Sequence, residues 1–343
     1  MCKTVSVAWI NYNSINFINI ALESLRSLYE LNYPNMHILL IDNCSNDGSD
    51  KILKDYVEKV DKKSITRFYR TSKNYGYAGG NLLAYTLTRD YGEYFAVVNN
   101  DVIVESESLR KLVEVLEDDE RIGAVQGILR SPNKTVNSAG HLLDEFLVSY
   151  AICSGKVEHP LLHQPYYVTY TCGAYSVYRI RALKMLDKVY FPEAFGYLDD
   201  DLIGLRMWSL GYRSKYAPVE SGIHYMGQSF RQHTTLSDEC NVRNRLIFRL
   251  ITEDRFKSLA LPASIMRLIP SMVSREALKS TSRAIVHGLN YARERVRRGF
   301  SVGVKGAPLI KLTPLEVLAH TILPNRISKK LVIERLKDKI PLG

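Results

Sequence analysis

Three carboxylates stand in a row at Asp199-Asp200-Asp201, beside the aromatic pair Phe195 and Tyr197 and at the start of a helical pattern through Ile203, Met207 and Leu210. Acids at a helix start favour its dipole, which accounts for one of them, Asp199. Like charges this close raise one another's pKa, and a raised carboxylate suits a general base. A second cluster, Asn99-Asn100-Asp101, ends the apolar run Tyr94-Phe95-Ala96-Val97-Val98. Asn and Asp at a strand end are ordinary turn formers. A short acidic tip can equally hold a divalent cation against a diphosphate, because hard cations take oxygen ligands. Two more apolar runs end in polar residues, Val5–Ile10 at Asn11-Tyr12-Asn13 and Ile38–Ile41 at Asp42-Asn43. There Asp42 can accept hydrogen bonds from a base or ribose, and Asn11 and Asn13 offer amides to a base edge. The loop from Asn74 to Asn81 carries Gly76, Gly79 and Gly80 into a helix. Glycines let backbone amides approach a phosphate at a helix N-terminus, although the spacing is neither a P-loop nor G-x-G-x-x-G and also fits a tight packing corner. His224 is either a hydrogen-bonded core histidine or a ligand completing the coordination begun by Asp101.

These residues matter together only if the elements beneath them bring them together. Apolar runs of strand length alternate with helical spacing over the first hundred residues: strands at Val5–Ile10, Ile38–Ile41, Ile65–Tyr69 and Tyr94–Val98, and helices after each of the first three. That alternation predicts βαβ units, an α/β fold and a mostly parallel sheet flanked by helices. In such a sheet, ligands collect beyond the carboxyl ends of the strands, where the three polar tips would converge. Next come a helix over about Ser106–Asp118 and a strand at Ile122–Leu129. Ser131–Pro165 is poorly periodic and predicts loops or a hairpin. Tyr167–Tyr178 reads as one strand followed by a short helix to Asp187, Arg213–Ala217 as another strand, and everything beyond Asn241 as helix.

The chain has 343 residues, 46% hydrophobic and 24% charged, an ordinary globular balance with an overall charge of +10. The charge is unevenly placed. Residues 244–343 hold 20 Lys and Arg against 7 Asp and Glu, a net of +13, whereas residues 1–243 are near neutral at −3. This divides the chain into a catalytic region, 1–243, and a basic helical module, 244–343. Ser274–Arg298 and Ile327–Lys339 are amphipathic and basic, and Leu259–Met272 is apolar around Arg267. Such helices bind anionic membrane surfaces, or else pack their apolar faces on the protein or form an oligomer contact. Nucleic acid is not an expected partner. The five cysteines are scattered without C-x-x-C spacing, so neither zinc nor a disulfide framework is implied. No signal peptide or spanning helix is expected, and a cytoplasmic protein, peripheral at the inner face of the cell membrane, is the reading.

In order and spacing, these motifs resemble the inverting family-2 glycosyltransferases of the GT-A fold, particularly their rhamnosyltransferase-like branch. The matching segments are Val5–Asn13, Ile41–Ser49, Asn74–Asn81, Asn99–Asp101, Gly173-Ala174 with Arg179, Phe195–Asp200, Arg206 and His224. The resemblance implies a metal-dependent transfer from a dTDP- or UDP-sugar to a hydroxyl of a glycan or lipid-linked glycan. It implies donor contacts at Asn11, Asn13, Asp42, Asn74, Gly79 and Asn100, with Asp42 and Asn11 on the base and Asn100 on the ribose. Manganese or magnesium would sit at Asp101, with His224 as a second ligand or a phosphate contact. Asp200 would be the base, and Gly173, Ala174 and Arg206 would lie toward the acceptor. The chain departs from the pattern where Asp199 replaces the usual Glu and where Leu202, after an extra Asp201, replaces a carboxylate, which leaves Asp199 and Asp201 as alternative bases. Selectivity is expected to rest on Ser131–Pro165 and Gln228–His233. A sugar-nucleotide nucleotidyltransferase shares such a crevice, but it needs a Gly-rich basic loop where this chain has Asn11–Asn16. A non-catalytic basic protein binding membrane or nucleic acid would make the N-terminal motif series a coincidence.

Overall fold

The alternating runs fold as βαβ units. In the computed structural model, β1 (Val5–Asn11), α1 (Ile18–Tyr29), β2 (Met36–Asp42), α2 (Ser49–Val60), β3 (Thr66–Arg70), α3 (Gly76–Thr88) and β4 (Tyr94–Asn99) follow the sequence pattern closely. The structure describes residues 3–228, 234–266, 274–337, 339, 340 and 342. Of the expected selectivity segment Gln228–His233, residues 229–233 lie outside the described residues, as do 267–272 of Leu259–Met272 and residue 338 in Ile327–Lys339.

Strands β3, β2, β1 and β4 pair in parallel in that order. Successive side chains of a strand point to opposite faces, and here both faces are buried. Val5, Val7, Trp9, Ile38 and Leu40 pack with Leu25 and Leu28 of α1. Ala8, Leu39, Ile41, Phe95 and Val97 pack on the other side with Ala84 and Tyr85 of α3. This two-sided burial is why the strands read as continuous apolar runs.

The chain continues through β5 (Val102–Val104), α4 (Ser108–Asp118), β6 (Ile122–Arg130), β7 (Val136–Ser138), β8 (His141–Asp144), β9 (Ser149–Ala151), β10 (Tyr166–Val168), β11 (Tyr175–Arg179), α5 (Ile180–Lys184), α6 (Asp199–Ser209) and β12 (Arg213–His224). The sheet extends from β4 to β11, β6, β12 and β10, with β11 antiparallel to both neighbours. Two expectations are corrected here. Tyr167–Tyr178 is two strands, because β10 lies beyond β12 while β11 lies beside β4, and Thr169–Ala174 must cross the intervening strands. The strand begun at Arg213 runs past Ala217 to His224, with register shifts against β6, and pairs its end with β5.

The C-terminal segment is not all helix. α7 (Thr234–Ile251) and the helices Ala260–Met266, Arg275–Arg297, Pro314–Ile322 and Asn325–Leu336 are interrupted by short strands, Thr252–Glu253 pairing Val302–Gly303, and Leu309–Ile310 pairing β8. Its apolar faces are largely used on the rest of the chain. Ile247, Phe248 and Ile251 pack on Leu143, Phe191, Leu202 and Leu205. Val332 and Leu336 pack on Val136, Leu142 and Tyr150. A buried polar clamp adds to this, with His320 Nε2 3.0 Å from Asp144 Oδ2 and Nδ1 2.8 Å from Ser328 Oγ. Among the described residues no helix is long and apolar enough to cross a membrane.

Candidate active site

Parallel pairing sets Asn11 opposite Asp42 and Ile10 opposite Asn99, so the polar tips of β1, β2 and β4 arrive level with one another. They are bonded mainly to each other. Asn11 Nδ2 donates to Asp42 Oδ1 at 2.9 Å, and Asn100 Nδ2 donates to Asn11 Oδ1 at 3.3 Å. Ser45 donates its backbone amide to Asp42 Oδ2 (3.1 Å) and its hydroxyl to Oδ1 (2.6 Å). Arg70 Nη1 lies 3.4 Å from Asp42 Oδ2. Beside them Asn74 Oδ1 accepts from Asn43 Nδ2 at 2.9 Å and from the Gly76 amide at 2.8 Å.

Above this floor opens a cavity of about 500 Å³, within the range of about 300–1,000 Å³ common for small-molecule sites. Asn74, Asn99, Asn100, Asp101, Gly173, Ala174, Asp200 and His224 line it, together with Tyr12, Asn43, Tyr77, Phe195, Tyr197 and Met226. Other sequence-predicted residues lie elsewhere. Asn11 and Asp42 have no exposed surface and sit beneath the cavity. Asn13 holds the next loop, its Oδ1 accepting from the Asn46 amide at 2.9 Å. Gly79 is buried within α3, where a Cβ would come 2.5 Å from Tyr75 Cβ, so it is a packing glycine and presents no amide to the cavity. Arg206, expected toward the acceptor, is nearly buried between Phe191 and Phe300 and bonded to Asp187 and the Lys188 carbonyl. It anchors α6.

At one wall, pairing of β12 with β5 sets His224 against Val102 and so beside Asp101. Asp101 and His224 are both nearly buried, and His224 Nε2 lies 3.3 Å from Asp101 Oδ1, which takes no hydrogen bond among the described residues. His224 Nδ1 lies 2.9 Å from Asn137 Oδ1. An amide oxygen only accepts, so Nδ1 carries a hydrogen toward Asn137, and Nε2 is the ring nitrogen turned to the aspartate. An orphaned carboxylate oxygen and an imidazole nitrogen on one wall fit a divalent cation. No cluster of three or more His, Cys, Asp or Glu suited to a metal occurs among the described residues, so ligand oxygens would complete the shell.

The opposite wall carries the acid triplet, and the structure separates its members. Asp200 opens on the cavity, its Oδ2 accepting the Gly173 amide at 2.8 Å. Asp199 lines a small apolar pocket with Phe191, Leu202 and Phe248, and its Oδ2 takes no hydrogen bond among the described residues. Asp201 is buried beside Tyr170, its Oδ1 likewise unsatisfied. Burial lifts Asp200 to about 7, with Asp201 adding to the rise and the Gly173 amide opposing it. Burial lifts Asp201 to about 6 and pushes Asp199, helped by its two neighbours, well above the usual carboxylate range. Gly173 is fixed by this contact: a Cβ there would stand 2.4 Å from Asp200 Oδ1 and 2.5 Å from the Tyr77 hydroxyl, which itself donates to the Gly173 carbonyl at 2.7 Å. The preceding loop is strained, with Phe195, Tyr197 and Leu198 all at φ near +67°, a region costly for residues with a Cβ.

Sequence reasoning missed Asn137, the partner of His224, because it lies in the aperiodic stretch after β6. Tyr77 gave no signal beyond its place in the glycine loop. The arrangement joins an Asp–His pair that could take part in holding a cation, an amide-lined floor and one accessible, raised carboxylate.

The family model described as Glycosyl transferase family 2 matches residues 6–186. The chain is 30% identical over 128 residues to an uncharacterized glycosyltransferase of Haemophilus influenzae, a match spanning 37% of this chain and 37% of that protein. The fold is similar to that of the mannosyltransferase PcManGT from Pyrobaculum calidifontis, solved in complex with GDP-Man and Mn2+ (TM-score 0.53, 15% identity, 87% of this chain and 80% of that one). It is also similar to S. aureus TarS (TM-score 0.52, 17% identity, 98% of this chain and 53% of that one). The curled α/β sheet flanked by helices is the GT-A architecture.

Proposed function

Given that the chain belongs to glycosyl transferase family 2, we propose that it is an inverting transferase of the rhamnosyltransferase-like branch. It moves a hexosyl or rhamnosyl unit from a dTDP- or UDP-sugar to a hydroxyl of a glycan or lipid-linked glycan. The observation that carries this reading is one cavity with the Asp101–His224 pair on one wall and Asp200 on the other. Asn100 meets the ribose, and Asn74 and Asn43 serve the base and phosphates. Asn11 and Asp42 act from below, by fixing the strand tips.

Asp101 and His224 would hold manganese or magnesium against the donor diphosphate; a neighbour of the same fold was solved with GDP-Man and Mn2+. When bound, such an ion neutralises charge on the departing diphosphate as a Lewis acid. Asp200 takes the proton of the acceptor hydroxyl, whose own pKa is too high for it to attack unaided. The Gly173 amide orients that carboxylate, and Gly173 and Ala174 form the acceptor side. The hydroxyl oxygen forms its bond to the anomeric carbon as the bond to the diphosphate breaks, and this single in-line displacement inverts configuration. We place the enzyme in the cytoplasm at the inner face of the cell membrane, through the basic module 244–343.

A thermal-shift panel of nucleotide sugars with and without manganese tests the donor assignment. A UDP- or dTDP-sugar should stabilise the protein only with the cation, and Asp101→Ala should abolish the shift. A cation-independent shift that survives Asp101→Ala would count against the assignment.

A further inference from the structure

We propose that the helix pair Pro314–Ile322 and Asn325–Leu336 is the surface that seats the protein on an anionic lipid bilayer; the proposal rests on the membrane reading above and names the part that makes the contact. The sequence offers both Ser274–Arg298 and Ile327–Lys339 for this role, but the structure spends most of the apolar face of the first. Ala284, Ile285, Gly288 and Ala292 are buried, Leu289 packs with Leu246 and Leu250 of α7, and Val286 and Val296 are left exposed singly.

The later pair is different. Its inner side is fully occupied, with Ala319, His320, Ser328, Val332 and Leu336 buried and His320 clamped between Asp144 and Ser328. A Thr313–Glu316 capping box fixes its entry. Yet Leu315, Leu318, Ile322, Leu323, Ile327 and Leu331 remain between 37% and 67% exposed. Leu315, Leu318 and Ile322 are spaced i, i+3, i+7 and so share one helix face. Ile327 and Leu331 do the same on the next helix, and Leu323 lies in the connection. Single exposed apolar residues are ordinary, but a run of this kind on an ordered element marks a contact surface.

The charges around it select the occupant. Arg326 and Lys330 are exposed on the second helix and Lys337 just past its end, against one exposed acid among the described residues there, Glu334, 3.5 Å from Lys337. A two-fold contact with a second copy would bring this basic rim onto itself. A bilayer takes up the apolar stripe and neutralises the rim with lipid phosphates.

The test is flotation of the full chain with equimolar phosphatidylglycerol–phosphatidylcholine vesicles and with phosphatidylcholine vesicles alone. The double substitution Leu318→Glu with Ile322→Glu is compared with Val286→Glu with Val296→Glu, alongside thermal melts and sedimentation. We expect flotation on the anionic vesicles only. The first pair should lower it by at least about tenfold at an unchanged melting temperature, and the second pair should leave it intact. If the wild-type chain does not float, the membrane reading and this proposal both fall. If only the Val286/Val296 variant loses flotation, the membrane reading stands and the helix pair is wrong. If the Leu318/Ile322 variant changes oligomeric state and not flotation, a second copy is the occupant and the proposal is overturned.

Discussion

The two walls of the cavity are built on opposite principles. On the proposed donor side, formed by the tips of β1, β2 and β4, the polar side chains are matched to one another apart from Asp101 Oδ1: Asp42 accepts from Asn11 and Ser45, Asn11 from Asn100, and Asn74 from Asn43 and Gly76. On the proposed acceptor side, Asp199 and Asp201 each keep a buried oxygen without a partner among the described residues, and three residues with side chains are held in the left-handed region just before them. The donor wall is stable because its polar network is satisfied. The acceptor wall costs stability, and the raised carboxyl of Asp200 is part of what that cost supplies. Strand tips and the start of α6 therefore face one cavity without sharing a design.

Substitutions can break or sharpen that contrast. The largest effect is expected from Asp200→Asn, which should lower transfer by about a thousandfold or more while the donor-induced thermal shift persists. Nucleotide diphosphate release with a genuine acceptor measures it. Gly173→Ala inserts a methyl where Asp200 and Tyr77 already stand. A displaced base should reduce kcat by about a hundredfold with little change in donor KM.

On the donor wall the effect should appear in stability. Asn11→Ala strips one donor from buried Asp42 and an acceptor from Asn100, at about 1–3 kcal/mol in urea unfolding. The smallest change has the opposite sign. The folded state holds a proton on Asp199 at pH values where the unfolded chain has lost it, so this residue's contribution to stability falls as pH rises above the usual carboxylate range. Asp199→Asn should raise the melting temperature at pH 8 and change it little at pH 4. A loss of stability at pH 8 would erase the contrast between the walls.

The donor wall was the legible one. Its strands are buried on both faces, so apolar runs ending in Asn and Asp located them to within a residue or two, and parallel pairing then levels the tips. The acceptor wall was not, because its residues come from crossings and not from periods. Thr169–Ala174 hides inside what reads as one strand, and Asn137 lies in an aperiodic stretch. Arg206 has the right spacing but turns between two phenylalanines. Sequence also could not say which acid faces the cavity, since a one-residue step on a helix rotates a side chain by about 100°. In the C-terminal module, helical spacing marks candidate apolar faces, but only packing decides which of them remain exposed.

The most direct test of the account is the pH dependence of transfer at saturating donor and cation. With Asp200 as the base, raised by burial to about 7, the rate should climb tenfold per pH unit below about 7 and level off above it. A profile already flat from pH 5 upward would contradict a buried Asp200 acting as the base.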